Sequence, residues 1–318
     1  MGEALTDMPA RVADVWTAAK AAAALAPLLK ADAQAGRLAA EALVEAELLG
    51  MPRFGFDLLE ELGGAKKPLV TAPLPAISRL DGAGSFAPAC LAEAALALVP
   101  AVHEHGMAAV FLTGIRGFGR LAPYLRVIAE AGHIGFGAAH APAFVAPAGG
   151  VRGVVGTNPI GFAAGSGEDR LVFDTATSGI TMAALKAARQ TGAALPAGTA
   201  IDASGRQTGD PAEAAALMPR GGLLGSLMGL MVEVLAGVAS GARGEPDGRG
   251  VFLLAIDPAR IAEGDWRQKL SHLRGEWLEA EGRWPQAQPF APDTPLPPQV
   301  AQRLSGWLER VRETGNRT

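Results

Sequence analysis

Apolar positions recur at helical spacing in several parts of this chain. Residues 37–49 and 87–105 carry apolar side chains three and four positions apart, and each run ends at a glycine, Gly50 or Gly106. Such a pattern predicts amphipathic helices that end at these glycines. The same pattern predicts further helices over residues 124–131, 181–191, 223–235 and 300–312.

Short apolar runs between glycines and prolines predict the strands. They cover residues 108–113, 134–138, 171–174 and 251–257, and residues 68–80 indicate short extended pieces. Residues 142–167 and 195–211 are rich in turn-forming residues and predict loops. The proline-rich residues 284–298 predict an irregular segment that runs over the surface. Because strands and helices alternate, the sequence predicts an α/β fold.

Composition narrows the function classes. The 318 residues are 49% hydrophobic and 19% charged, and 28 basic against 32 acidic side chains give a net charge of −4. A slightly acidic chain without a long basic run argues against nucleic acid as a partner. The apolar runs are too short for a membrane span, and the first residues lack a signal-peptide pattern. With Cys90 as its single cysteine, the chain is expected to be soluble and cytoplasmic, with no membrane partner.

Several common site motifs are absent from the sequence. It contains no Gly-x-Gly-x-x-Gly, no phosphate-binding Gly-x-x-x-x-Gly-Lys, no His-Glu-x-x-His and no Gly-x-Ser-x-Gly. The histidines show no zinc-ligand spacing, so no metal site is predicted. We expect His103, His105, His133 and His272 to be ordinary surface or helix-end residues.

Gly-Thr-Asn-Pro at residues 156–159 is followed at a fixed distance by Phe-Asp-Thr-Ala-Thr-Ser at 173–178. Further segments keep order and spacing with them, at residues 42–47, 200–211, 221–235 and 255–258. Together these segments resemble the malate/L-lactate dehydrogenase family, distinct from the Rossmann-type lactate dehydrogenases. The resemblance implies a non-Rossmann sheet flanked by helices, an NAD or NADP cofactor, a small carboxylate substrate and a homodimer.

The resemblance and the loop chemistry together indicate the cofactor-binding residues. A tight turn with a glycine and an asparagine directs backbone N–H groups toward an anion, and small residues after a strand let a ligand approach the backbone. We expect one cleft to be lined by two segments: Gly156, Thr157 and Asn158, and Asp174, Thr175 and Ala176.

Polar positions of the family are changed in this chain. Phe54 and Gly117 stand where the family usually has histidines, the second of them the acid/base. Leu224 stands where a lysine contacts the cofactor, and Leu58 replaces an arginine. We expect Phe54, Gly117 and Leu224 to surround one pocket.

Substitutes for the lost groups lie nearby in the sequence. His140 occupies a position where the family commonly has asparagine beside the substrate, and it could act as the catalytic acid. Arg53 and Arg116 flank the replaced histidines and could hold a substrate carboxylate. Each of the three could also be a surface or loop side chain without a role.

Three functions remain open from the sequence. The first is an NAD(P)-dependent oxidoreductase acting on a small 2-oxo or 2-hydroxy acid, and the second is a reductase of a cyclic imino acid, which needs a less demanding acid. The third is a non-catalytic binding or assembly subunit. We expect an N-terminal helical segment at residues 1–60, an α/β core at 61–270 and a C-terminal helical segment at 271–318.

Overall fold

The computed structural model describes residues 15–62, 66–245, 249–287 and 289–315. Its centre is a mixed seven-stranded sheet in the order β1-β2-β3-β9-β4-β5-β6, beside a two-stranded sheet of β7 and β8. The strands are β1 (Leu69–Leu74), β2 (Ile77–Asp81), β3 (Met107–Thr113), β4 (Ile134–Ala139), β5 (Ile160–Ala164), β6 (Leu171–Thr175), β7 (Ala200–Ile201), β8 (Ala216–Leu217) and β9 (Val251–Ile256).

Eight α-helices accompany the strands within the described residues. They are α1 (Ala18–Leu25), α2 (Ala33–Leu48), α3 (Ala87–His105), α4 (Ala122–Glu130), α5 (Met182–Thr191), α6 (Leu223–Val232), α7 (Trp266–Glu279) and α8 (Pro298–Gly315). The helix α6 continues into a π-helical turn, Glu233–Val238. Local chemistry sets several ends: Asp32 caps α2 by accepting from Ala35 N at 2.9 Å, and α3 ends at the left-handed Gly106.

The two faces of the sheet bury different partners. Alternate residues of β3, including Val110 and Leu112, join the main core with helices α1 to α4 and α8. Phe111, from the opposite face, packs against Phe252 of β9 with ring centroids 4.9 Å apart. That face is covered by α6 and its π-helical turn through Val232. Since both faces are buried, the central strands are nearly continuous apolar runs.

A smaller apolar cluster lies around α5 and the β7–β8 pair. It is formed by Val145, Val155, Leu185, Leu195, Ala200, Ala214 and Leu217. The hydrogen bond from Leu217 N to Phe144 O ties this cluster to the segment that follows β4. The segment between β4 and β5 therefore connects the seven-stranded sheet to this smaller cluster.

The structure confirms the predicted α/β fold, corrects two local expectations and adds one helix. Residues 142–167, predicted as loop, contain the fully paired strand β5. The helix α7 was not predicted, because Trp266 is its one buried residue and its apolar stripe is weak. His133, expected at the surface, is buried and its Nδ1 lies 4.0 Å from Asp257 Oδ1.

Candidate functional site

Most of the candidate residues gather at one edge of the sheet. Because β3 and β4 both run antiparallel to β9, their carboxyl ends meet the start of β9 there. Backbone hydrogen bonds hold this junction: Ile115 N donates to Arg249 O at 3.2 Å, and His140 N donates to Gly250 O at 2.8 Å. Arg116, Arg249 and His140 therefore arise from three neighbouring strand ends.

The two predicted cofactor loops lie side by side at the same edge. Thr177 N donates to Thr157 O at 3.0 Å, and the Thr177 hydroxyl donates to Asn158 O at 3.1 Å. The pairing of Ile160 with Thr175 between β5 and β6 fixes their register. The two segments thus lie together at this edge, and that they line one cofactor cleft stays a prediction.

Asn158 has all of its side-chain polar atoms engaged inside the protein. The residue is fully buried with φ +37°, a left-handed conformation that asparagine tolerates. Its Nδ2 donates to Gly229 O at 2.9 Å and to Glu233 Oε2 at 2.8 Å, and its Oδ1 accepts from Ala141 N at 3.1 Å. Asn158 thus links the loop at residues 156–159 to α6 by hydrogen bonds inside the protein.

Asp174 also serves the fold. Its Oδ2 accepts from Leu121 N at 2.6 Å and from Ala122 N at 3.3 Å, so the carboxylate caps the start of α4. Burial raises the pKa of this carboxyl, against the opposing effects of Arg120 and of the two backbone donors. Its Oδ2 is therefore engaged by the protein before any ligand arrives.

The remaining cofactor candidates differ in what they expose. A Cβ atom on Gly156 would lie 2.2 Å from Ala141 O, so close packing alone requires a glycine there. Thr157, Thr175 and Ala176 are half-buried and reach the surface of the edge. Gly156 and Asn158 are buried, so ligand contact falls to the half-buried candidates, among which Asp174 already caps α4.

His140 belongs to a buried polar group beneath the edge. Its Nε2 lies 3.3 Å from Glu233 Oε1, and Arg243 Nη1 pairs with the same oxygen. Burial, followed by the positive charges of Arg243 and Arg249, lowers the pKa of His140. Its buried Nδ1 has no hydrogen-bond partner within the described residues. The lowered pKa favours the neutral form of the imidazole.

The two predicted substrate arginines occupy different surroundings. Arg53 Nη2 donates to Gln190 Oε1 of α5 at 3.0 Å, which links the segment after α2 to the smaller cluster. Arg116 is exposed at the end of β3. Burial and the nearby charge of Arg116 lower the pKa of Arg249, and Glu61 opposes this effect. Arg116, Arg249 and Glu61 therefore form one charged group.

The replaced family positions come together only in part. A Cβ atom on Gly117 would lie 2.8 Å from Leu58 Cδ2, and one on Gly119 would lie 3.1 Å from Phe54 O. Phe54, Leu58 and Gly117 are thus neighbours. Leu224 is 66% exposed on α6, and its side chain faces outward from this chain.

Sequence reasoning missed three charged residues of this region. Glu233 was visible as the single charged residue of a long apolar run, a pattern that often marks a buried, paired group. Arg249 precedes the most apolar strand, and Glu61 ends a short 3-10 segment, Phe56–Glu61. Neither position carries a recognisable motif.

Other site types find little support. No group of three or more His, Cys, Asp or Glu side chains in the described part of the chain is placed to hold a metal ion. Across residues 15–62, 66–245, 249–287 and 289–315, no helix is both long and apolar enough to cross a membrane.

Comparison with known proteins places the chain among dehydrogenases. The family model for malate/L-lactate dehydrogenase matches residues 17–297. A Δ1-pyrroline-2-carboxylate/Δ1-piperideine-2-carboxylate reductase of Pseudomonas putida is 33% identical over 235 residues, covering 69% of each chain. A (2R)-3-sulfolactate dehydrogenase (NADP+) of Chromohalobacter salexigens is 32% identical over 266 residues, covering 76% of this chain and 80% of that one.

The fold matches as well. The crystal structure of Δ1-piperideine-2-carboxylate reductase from Pseudomonas syringae pv. tomato superposes with a TM-score of 0.73 at 26% identity, covering 95% of both chains. The sequence prediction of the family is confirmed by these matches. The chain belongs to the malate/L-lactate dehydrogenase family.

Proposed function

We propose that this protein is an NAD(P)-dependent oxidoreductase acting on a small acid with a 2-oxo or 2-hydroxy group. The observation that carries the proposal is the convergence of Arg116, Arg249 and His140 at one sheet edge, beside the loops at residues 156–158 and 174–176. Guanidinium groups form planar, bidentate hydrogen bonds with carboxylates. A half-buried guanidinium group binds a carboxylate more strongly than an exposed guanidinium group does.

The residues around the loops suit an anionic dinucleotide. Thr157 and Thr175 offer hydroxyl groups, and the exposed Arg220 is held beside them by hydrogen bonds from its Nε to Ala176 O at 3.2 Å and from its Nη2 to Gly179 O at 3.4 Å. These three residues and the backbone of Ala176 would hold NAD or NADP. When bound, the reduced nicotinamide supplies the hydride.

For a 2-oxo acid, the chain must also supply a proton to the developing alkoxide. His140 is the candidate donor, with Arg116 and Arg249 at the same edge to orient the carboxylate. Arg53, which is bonded to Gln190 of α5, stays a predicted carboxylate ligand. Because the pKa of His140 is lowered, few molecules carry the protonated imidazole at neutral pH. Reduction of a 2-oxo acid should therefore become faster as the pH falls toward the pKa of His140 in the folded protein.

A cyclic imino acid is the second candidate substrate. The specific observation in its favour is the absence of a side chain at Gly117, where the family resemblance implies an acid/base histidine. An imine protonated in solution needs no proton from the enzyme. The similarity to Δ1-pyrroline-2-carboxylate/Δ1-piperideine-2-carboxylate reductases supports this alternative.

We further propose a cytoplasmic homodimer that uses the outer face of α6. On this face Leu223, Leu224, Leu227 and Leu230 are 53–66% exposed. Neighbouring exposed apolar side chains of this kind often mark a contact with another protein. The placement of Leu224 in this face explains how its side chain could approach a site completed by a second copy.

The deciding experiment measures cofactor binding and turnover separately. NADH and NADPH are titrated against the protein by nicotinamide fluorescence, and 2-oxo acids and Δ1-piperideine-2-carboxylate are then offered at pH 6 and pH 8. Saturable binding with turnover supports the oxidoreductase, and the preferred substrate chooses between the two candidates. Absence of both would favour the non-catalytic alternative.

A further inference from the structure

The space beside Gly117 is filled by a carboxylate. A Cβ atom on Gly117 would lie 3.2 Å from Glu61 Oε2 and 3.4 Å from Oε1. The family resemblance implies that a histidine side chain begins at this point. In this chain a different ionisable group, carried by another segment, occupies the same place.

Glu61 is held there by a well-anchored backbone. It ends the 3-10 segment Phe56–Glu61, in which Leu58 and Leu59 are buried in the main core. Phe56 N donates to Glu47 Oε1 at 2.6 Å, which fixes the start of the segment. Since the residue itself is exposed, the carboxylate is accessible from solvent at the sheet edge.

The charges around Glu61 complement a zwitterion. Arg249 lies close enough to both Arg116 and Glu61 to feel their charges. The edge thus presents two guanidinium groups and one carboxylate. A protonated cyclic imino acid carries a carboxylate and an iminium N–H in adjacent positions, so each of its charges meets an opposite one here.

We propose that Glu61 is a catalytic residue that accepts the iminium N–H of a protonated cyclic imino acid, taking over the position of the missing histidine. The inference rests on the proposed oxidoreductase function and deepens its second candidate, reduction of a cyclic imino acid. As the carbon of the C=N bond takes up the hydride, the π electron pair becomes the nitrogen lone pair and the N–H bond stays intact. No proton leaves Glu61, and the product is a cyclic amino acid.

The same arrangement selects against ketones. A 2-oxo acid presents a carbonyl oxygen to Glu61, and an ionised carboxylate repels it and donates no proton. Glu61 should therefore favour C=N over C=O substrates. This is a property that a merely structural glutamate would not have.

The test compares Glu61→Gln with Glu60→Gln. Glu60 is the neighbouring surface residue, paired with Arg310 at 3.0 Å. With NADPH, Glu61→Gln should lower kcat/KM for Δ1-piperideine-2-carboxylate by about 10- to 100-fold, the effect of one charge-assisted hydrogen bond. Its kcat/KM for pyruvate should stay level or rise. Equal effects of the two substitutions on the imine would overturn the proposal.

A binding measurement separates this proposal from the proposed function. By calorimetry, the wild-type protein should bind piperidine-2-carboxylate, a cationic amine, at least about tenfold more tightly than tetrahydropyran-2-carboxylate, its ether analogue. Glu61→Gln should remove that preference, and Glu60→Gln should keep it. If the preference exists without turnover, the oxidoreductase assignment fails and the role of Glu61 in binding stands. If the wild-type protein shows no preference, the role of Glu61 fails.

Discussion

His140 Nε2 lies 3.3 Å from Glu233 Oε1, although His140 follows the end of β4 and Glu233 begins the π-helical turn, 93 positions later. The hydrogen bond from Asn158 to the other Glu233 oxygen brings the Gly-Thr-Asn-Pro loop into the same group. A buried carboxylate thereby joins the loop, the end of β4 and the π-helical turn. Removing any one of these partners leaves a buried polar group without compensation.

The titration of His140 should be visible in stability. Because its pKa is lowered in the folded chain, the stability contributed by the neutral imidazole is present above the unfolded pKa of about 6.5 and is lost as the pH falls through that value. His140→Asn should reduce this loss between pH 7.5 and pH 5.5, measured by urea unfolding. His272→Asn, at an exposed position, is the control and should leave the pH dependence unchanged.

Asp174 should matter for stability through its cap on α4. Asp174→Ala removes the acceptor for Leu121 N and Ala122 N and should cost about 1–2 kcal/mol in the free energy of unfolding. Asp174→Asn keeps an acceptor without a buried charge and should cost clearly less. Asp210→Ala, which removes an exposed turn acceptor for Ala212 N, is the matched control. Equal costs for the alanine and asparagine variants would contradict this account.

Gly117 should resist restoration of a side chain. Its φ of +61° disfavours any residue with a Cβ, and that atom would lie 2.8 Å from Leu58 Cδ2. Gly117→Ala should therefore destabilise the protein by more than about 1 kcal/mol. Gly192→Ala has a similar φ of +71° and open space, so it measures the backbone cost alone. A smaller cost at Gly117 than at Gly192, by thermal unfolding, would show that the neighbouring segment yields freely.

The outer face of α6 should determine the oligomeric state. Leu227→Asp places a charge in the exposed apolar face, where Leu227 is 55% exposed, and should convert a dimer to monomers in light scattering. Leu273→Asp, on the exposed side of α7, is the control and should leave the mass unchanged. A wild-type protein that is monomeric at micromolar concentration would refute the dimer.

Hydrophobic periodicity was sufficient to predict most of the fold. The bounds of α3 follow from its apolar spacing and from Gly106, and β9 follows from its apolar run. The strand β5 was hidden by its composition, since Gly161 is required where a Cβ atom would lie 2.7 Å from Leu125 Cδ1. A glycine that permits close packing of a helix on a strand has the same sequence signature as a glycine in a loop.

The site was harder to predict than the fold. Motif spacing correctly brought the loops at Thr157 and Thr175 together, because strand pairing fixes that distance. It could not show that the Asn158 amide and the Asp174 Oδ2 are hydrogen-bonded within the protein, since this depends on partners far away in sequence. It also could not identify Glu61, whose importance arises from the empty space at Gly117 and not from any motif.

The position of β9 has a consequence for how the sheet assembles. This strand, from the last third of the chain, lies between β3 and β4, which are themselves unpaired with each other. Until residue 256 has left the ribosome, the earlier strands can form only two separate three-stranded pieces, each with one open inner edge. Open edges invite pairing with other chains, and long-range closure is slow. Nascent chains should therefore be most prone to aggregate just before β9 emerges and closes the sheet.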